Sequence, residues 1–327
     1  MADQNTTPNE NELTDISEID VGPQPAGSLW RTAMTRLVRR RSAQVGAFIL
    51  LSLVLIALFA PMLAPYAPTQ VLIDVEDVAR REGPCIHLLG CPEDRPQHWM
   101  GIDGNVRDQF SRVLYGARYS LMVGVTSVGF AIVIGSVLGA IAGFVGGWLD
   151  NLIMRVMDVL LAFPSLLLAI AIVAVLGPGL INALLAIGIV SIPAYARVMR
   201  ASVLATKESE YVLAATALGA KPMRVLVRSV LPNAITPLIV QGTLGIATAI
   251  LDAAALSFLG LGAQPPTPEW GSMLGSERNQ VFTAPHLVFF PGFAIMLTVL
   301  GFNLLGDGLR DAFDPKLGEK GVLFEKS

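Results

Sequence analysis

Charge is what this chain has least of. Only 15% of its 327 residues are Asp, Glu, Lys or Arg, against about 25% in soluble domains. Charged side chains are absent between Arg118 and Asp150, Asp158 and Arg197, Arg228 and Asp252, and His286 and Asp307. Each gap is as long as the roughly 20 apolar residues of a bilayer span, or longer, whereas an apolar run buried in a soluble core rarely exceeds about 14. Histidine is scarce too: His87, His98 and His286 are all there is. No Lys, Glu or His relay sits in mid-span, which argues against a proton-coupled carrier. A Gly-x-x-x-x-Gly-Lys-Ser/Thr run is missing, so an ATP-driven process would need its nucleotide site on another chain. Nothing resembles a Ser–His–Asp arrangement or a metal-assisted site, so the chain reads as non-enzymatic.

What remains is 53% hydrophobic, with a mean hydropathy of +0.59. The expected fold is all-α, with six membrane-spanning helices. The first covers 45–66 and the second lies within Tyr119–Trp148. The long gap from Val159 to Ala196 is broken by Gly177-Pro178-Gly179, a turn signal between two antiparallel spans. The fifth runs from about Val230 to Leu251 and the sixth from about Leu287 to Gly306. The expected organisation is a polar tail and basic segment at 1–44, the first span at 45–66, and an external segment at 67–118. A five-helix core follows at 119–306, containing a loop at 201–229, and a tail closes the chain at 307–327. Residues 1–27 lack the apolar groups to fold alone and read as disordered. The first apolar run is too long and starts too late for a cleaved signal peptide.

Lys and Arg set the orientation. Arg31, Arg36, Arg39, Arg40 and Arg41 precede the first span, and Arg197, Arg200, Lys207, Lys221, Arg224 and Arg228 crowd the loop between spans four and five. Both belong on the cytoplasmic side, with both termini, in a multi-pass protein of a bacterial inner membrane. The segment 67–110 carries eight acidic residues against four arginines and belongs outside. Its two cysteines, Cys85 and Cys91, could pair in an oxidising compartment, stay free, or bind metal with His87 and His98. A disulfide fits the compartment, and the spacing matches no usual zinc pattern.

The loop between spans four and five carries the most information. Glu208–Gly219 reads as a short helix with small residues on one face, closed by Gly219 in a left-handed cap. Pro222 is placed to open a second short helix, and Pro232 sits near the membrane. An ordinary surface loop is the plain alternative. Ser257–Gly271 is apolar, then Gly- and Pro-rich, too short for a span, and reads as a hairpin or re-entrant segment. Asp252 is expected at the outer end of span five, and Asp158 beside Arg155 at the inner end of span three. Gly135, Gly139, Gly143, Gly146 and Gly147 give span two a small face for close helix packing.

The 201–229 loop resembles the "EAA" loop of ABC-importer permeases: Ala214, Ala215, Gly219, Leu231 and Pro232 fit, while Leu213 stands at the Glu position. Arg107-Asp108, Ser111-Arg112 and Tyr115–Arg118 resemble the start of that family's second span, with Val106 where a Gly is usual. Leu256–Gly271 is similar to the external loop of the dipeptide and oligopeptide permease "C" subunit, and Asn303–Asp311 to its C-terminus. The external insert around Cys85–His98 is longer than that resemblance leads one to expect. The resemblance implies a type I importer permease that pairs with a homologous second permease, two ATPases and an extracytoplasmic peptide-binding protein. It implies no cofactor in this chain, ATP and Mg being held by the ATPases, and no nucleic acid. It implies coupling through Glu210, Tyr211, Ala214, Ala215, Gly219, Leu231 and Pro232, and apolar packing rather than charge where Leu213 stands. Candidate residues of the pathway or outer mouth are Asp252, Gln264, Glu269 and Trp270. Dipeptides or short oligopeptides are the expected cargo, with glutathione or nickel as the alternative. A secondary transporter or channel is the alternative class.

Overall fold

The computed structural model describes residues 34, 35, 37, 38 and 40–313. The expected disordered tail, Arg31, Arg36, Arg39 and residues 314–327 lie outside the described residues. Helices dominate. α1 spans Arg41–Leu63, α2 Gln109–Val145, α3 Gly147–Leu161, α4 Ser165–Leu176 and α5 Leu180–Lys207. Four short pieces follow: α6 Glu210–Ala217, α7 Pro222–Val225, a π-turn at Leu226–Val230 and α8 Leu231–Ala234. Then come α9 Thr236–Phe258, α10 Trp270–Glu277 and α11 His286–Phe313. Among the described residues only two isolated β-bridges occur, Cys85 with His98 and Ile102 with Asp108.

Five helices, α1, α2, α5, α9 and α11, are long and apolar enough to cross a membrane. The third crossing is not the single straight span expected from Val159. In its place stand α3 and α4, bent by 91° at a three-residue break, the geometry of a broken span or a re-entrant loop. Pro164 at that break supplies no N–H, and its ring disfavours helical geometry at Phe163. α4 has 12 residues, about 18 Å of helix, so it crosses a roughly 30 Å core only together with its partner.

Two other boundaries move. α2 starts at Gln109, not Tyr119, and its 37 residues make about 55 Å of helix. Arg112 is no bar to helix there, because its Nη1 donates to Pro68 O at 2.8 Å. Asp108 caps the new start by accepting from Ser111 N at 2.7 Å. At the other end of the chain α11 runs past Gly306 to Phe313. Asp311 on that extension pairs with Arg40 at 2.5 Å, which puts the start of α1 and the end of α11 at one end of the bundle.

The core is built on α2 and α5, which pack against each other more extensively than any other pair of described helices. Gly135, Gly139 and Gly143 make this possible. A Cβ on Gly139 would stand 2.3 Å from Ala196 O and one on Gly143 would stand 2.9 Å from Arg200 O. Gly146 and Gly147 are not part of this face: they lie in open space with φ of +71° and +64° and form the turn into α3. A second core gathers around Trp270, with Leu53, Val113, Leu121, Ile250, Met273 and Ile295. It ties α10 to α1, α2, α9 and α11.

Candidate functional site

The α6–α8 segment stands at the same end of the bundle as Val145 and Lys207, whose Nζ donates to Phe144 O at 3.0 Å. α6 begins at Glu210, after Ser209. It closes in a Schellman motif: Gly219 N donates to Thr216 O at 2.9 Å and Ala220 N to Ala215 O at 3.1 Å. Gly219 has φ +83°, which glycine adopts without the Cβ penalty. Pro222 is the first residue of α7. The π-turn that follows has a local cause in Pro232, which has no N–H for the carbonyl four residues back.

The two arms of this segment are tied together. Tyr211 Oη donates to Ser229 O at 3.3 Å and accepts from Asn233 Nδ2 at 2.9 Å. Val212 is buried against Val225 and α5, while Ala214 is exposed and Ala215 half-buried. Leu231 is half-buried and Pro232 exposed. The outward surface mixes apolar and charged groups: Leu213, Leu218, Met223 and Val227 are all more than half exposed, Leu218 at 88%, and Glu210, Lys221, Arg224 and Arg228 are exposed with them. A cavity of about 480 Å³ opens beside α6 between Phe144, Leu204, Val212, Leu213, Pro222 and Val225. Such a surface suits a partner that presents apolar groups.

The opposite end carries the remaining candidates, and the structure separates them. Glu269 and Trp270 do not face an opening; they are 2% and 1% exposed. Glu269 caps α10, accepting from Gly271 N at 3.0 Å and Ser272 N at 2.8 Å. Burial pushes its carboxyl up, and these N–H groups with the Ser257 and Ser120 hydroxyls pull back against that. Trp270 Nε1 donates to Val113 O at 3.0 Å. An acid followed by a large aromatic looks like a binding pair in sequence, but here a cap and a core anchor use both. Gln264 is exposed and spends its amide on Gly260 O and Gly262 O, at 2.9 and 3.0 Å. Asp252 is half-buried and six residues before the end of α9, not at its outer tip, and no hydrogen bond or ion pair engages it among the described residues. Asp158 pairs with Arg197 at 2.5 Å.

Leu256–Gly271 forms the expected hairpin: α9 continues through Phe258, a loop turns at Gly260, and α10 folds back. A Cβ on Gly271 would stand 2.4 Å from Ala254 Cα and O. Gly179 N donates to Leu261 O at 3.1 Å, so the 177–179 turn joins the same end.

Cys85 and Cys91 are joined in a disulfide. His87 faces Arg95 O at 2.8 Å and His98 faces two carboxylates. Among the described residues no group of three or more His, Cys, Asp or Glu side chains is arranged to hold a metal ion.

Sequence reasoning missed a part-buried circuit at this end, with His98, Asp108 and Ser111 buried and Tyr66 and Glu76 half-buried. His98 Nδ1 lies 2.9 Å from Asp108 Oδ1 and its Nε2 3.0 Å from Glu76 Oε2. Tyr66 Oη donates to Glu76 Oε1 at 2.7 Å, and Tyr66 N donates to Ser111 Oγ at 3.2 Å. Ser111 Oγ donates to Asp108 at 2.6 Å, closing the ring. The members come from four separated places in the chain, at 66, 76, 98 and 108–111, so no local spacing announces them. Next to it, Val106 has φ +57°, a conformation costing a residue with a Cβ about 1–2 kcal/mol. Its burial with Leu72 and Ile102 offsets that strain.

The family model for "Binding-protein-dependent transport system inner membrane component" matches residues 135–319, most of the helical core just described. The chain belongs to this family. The permease also matches, over residues 28–84, the N-terminal transmembrane domain of oligopeptide transport permease C. It is 48% identical to a dipeptide transport system permease, DppC, of Alkalihalophilus pseudofirmus, over 96% of this chain and 95% of that one. It is 46% identical to the glutathione transport system permease GsiD of Escherichia coli, over 91% and 94%. It is 47% identical to a di/tripeptide permease of Pseudomonas aeruginosa over the same shares. The fold is similar to that of the methionine ABC transporter MetNI in an inward-facing form, with a TM-score of 0.52 at 20% identity, covering 62% of this chain and 96% of that one. The protein is thus a multi-pass inner-membrane permease subunit of the type I importer fold, a non-catalytic component of an ABC importer.

Proposed function

We propose that this permease forms half of a translocation pathway for dipeptides or short oligopeptides and works by alternating access. A homologous second permease supplies the other half, two separate ATPase chains bind ATP and Mg, and an extracytoplasmic peptide-binding protein delivers the cargo. The observation that carries the reading is the α6–α8 element, a projection at one end of the bundle that exposes Leu213, Leu218, Met223 and Val227, on a chain 48% identical to a dipeptide permease. ATP-driven closure of the ATPases draws the α6 elements of the two permeases together. α6 moves α5 and α9 with it, because Val212 and Val225 pack into the core those helices share. Asp252, open to a partner on α9, is the pathway candidate for a peptide amino group.

Lys and Arg put the α6 end and both termini in the cytoplasm and the disulfide outside. Cysteine labelling checks this: a probe near Gln97 reacts from outside, and one near Lys207 reacts only after permeabilisation. Reversed labelling overturns the orientation. The cargo test is uptake into proteoliposomes holding the complete complex, with labelled dipeptide and glutathione in competition. Glutathione is the second reading because a glutathione permease is 46% identical; import of glutathione without dipeptide would favour it. If no ATPase chains co-purify with the permease, the importer reading fails.

A further inference from the structure

At the disulfide-bearing end, a cavity of about 230 Å³ opens between the 103–112 stretch, the loop after α9, and α10. Arg107, Arg112, Arg278, Asn105, Gln264 and Ser276 are among its lining residues, with no aspartate or glutamate. Arg107 and Arg112 are 8% and 5% exposed. Both turn to one carboxylate, Asp103: Arg107 Nε at 2.8 Å and Arg112 Nε at 3.4 Å. Asp103 is already saturated, since Oδ1 accepts from Asn105 N at 2.8 Å and Arg107 N at 2.9 Å. The other partners of Arg112 are the carbonyls of Pro68 and Pro266, which accept a hydrogen bond and cancel no charge. Two buried guanidiniums therefore share one negative charge. Arg278 adds a second uncompensated cation at the rim, where it donates only a 3.4 Å bond to Gly275 O. A desolvated excess positive charge is costly until an anion completes it, and guanidiniums hold carboxylates best.

We propose that this cavity is a docking socket for one acidic side chain, Asp or Glu, on the extracytoplasmic binding protein. The inference rests on the importer reading and names the contact that seats the delivering protein. Size favours a single side chain over free cargo: small-molecule sites run from about 300 to 1,000 Å³. Position agrees. The socket walls belong to α2 and to the hairpin that packs on α9, so a carboxylate seated there touches the ends of two spans at once.

The test uses the complete transporter in nanodiscs and the binding protein of the same system. Arg278→Glu changes an exposed rim residue, and Ser276→Glu supplies the socket with a carboxylate of its own. Both variants are expected at wild-type membrane level with the ATPases co-purifying. Affinity for the binding protein falls about tenfold or more in each, and its dependence on salt flattens. Reversing one exposed Asp or Glu on the binding protein to Lys restores affinity for Arg278→Glu. Wild-type affinity in both variants overturns the socket. It is equally overturned if docking is unchanged while uptake of peptides with a free carboxyl terminus drops and that of amidated ones does not. Absence of ATPases from the wild-type preparation would instead count against the importer reading itself.

Discussion

His98 and Asp108 meet across 2.9 Å between Nδ1 and Oδ1, and the contact joins the segment after α1 to the cap of α2. Asp108 also accepts from Ser111 N and Oγ. One histidine therefore sits between a helix cap and a second carboxylate, Glu76.

This arrangement is pH-dependent in a definite direction. Burial of His98 pulls its pKa down, but Asp108 and Glu76 outweigh that and leave it raised above 6.5. A raised folded-state pKa stabilises below the unfolded value and loses that stabilisation as pH rises through the folded one. The thermal midpoint should therefore decline as pH increases from about 6.5 upward. His98→Gln should remove that slope. An unchanged slope in the variant would assign the titration to another group.

Gly219→Val and Ala215→Glu test coupling. No atom lies within 4 Å of a Cβ on Gly219, so the cost is conformational, from φ +83°, and is about 1 kcal/mol. The subunit should insert and pair normally, while ATPase co-purification or substrate-stimulated hydrolysis, and uptake, fall sharply. Wild-type uptake in either variant would show that α6 is not the coupling element.

Gly139→Leu tests the core. With Ala196 O 2.3 Å from even a Cβ, α2 and α5 must separate, at a cost of about 1–3 kcal/mol or more. The readout is the yield of monodisperse protein in detergent. A folded, thermally unaltered variant would contradict the close packing.

Trp270→Phe removes the donor to Val113 O at a site 1% exposed. The Val113 carbonyl keeps its partner within α2, so the cost is one hydrogen bond, about 0.5–1.5 kcal/mol, plus the volume lost from a packed core. The expected effect is a lower thermal midpoint with cargo preference intact. A change in preference at unaltered stability would return Trp270 to the pathway.

Asp252→Asn probes the pathway. A modest loss is expected in uptake of peptides with a free amino terminus, with N-blocked peptides unaffected. Equal uptake of both by variant and wild type would remove Asp252 from the pathway.

Much of this was legible in the chain. Apolar length located five spans, because hydrocarbon demands a long run without charge whatever surrounds it. Gly219 and Pro222 announced the ends of α6 and α7, because positive φ and the missing proline N–H are local constraints. The glycines of α2 announced a close partner without saying which helix it was. Other features depended on distant neighbours. The second span reads as starting at Tyr119, after Arg118, because the partners that settle Arg112 inside α2, Pro68 O and Pro266 O, are far away in sequence. Trp270 reads as part of a mouth because its partner, Val113 O, is far away in sequence; Glu269 carries a local signal, a cap on Gly271 N and Ser272 N, that the loop-like reading of Ser257–Gly271 hides.

By itself, then, the sequence determined that the chain lives in a bilayer, roughly where it crosses, and that a short capped element projects between α5 and α9. Those follow from solvent cost and backbone geometry, which act residue by residue. Only the tertiary structure decided that α3 and α4 meet at a sharp bend before Ser165, that His98 bridges two carboxylates, and that Arg107, Arg112 and Arg278 converge on one cavity. Charge compensation and burial depend on what the fold brings within a few ångströms, and no spacing along the chain encodes that distance directly.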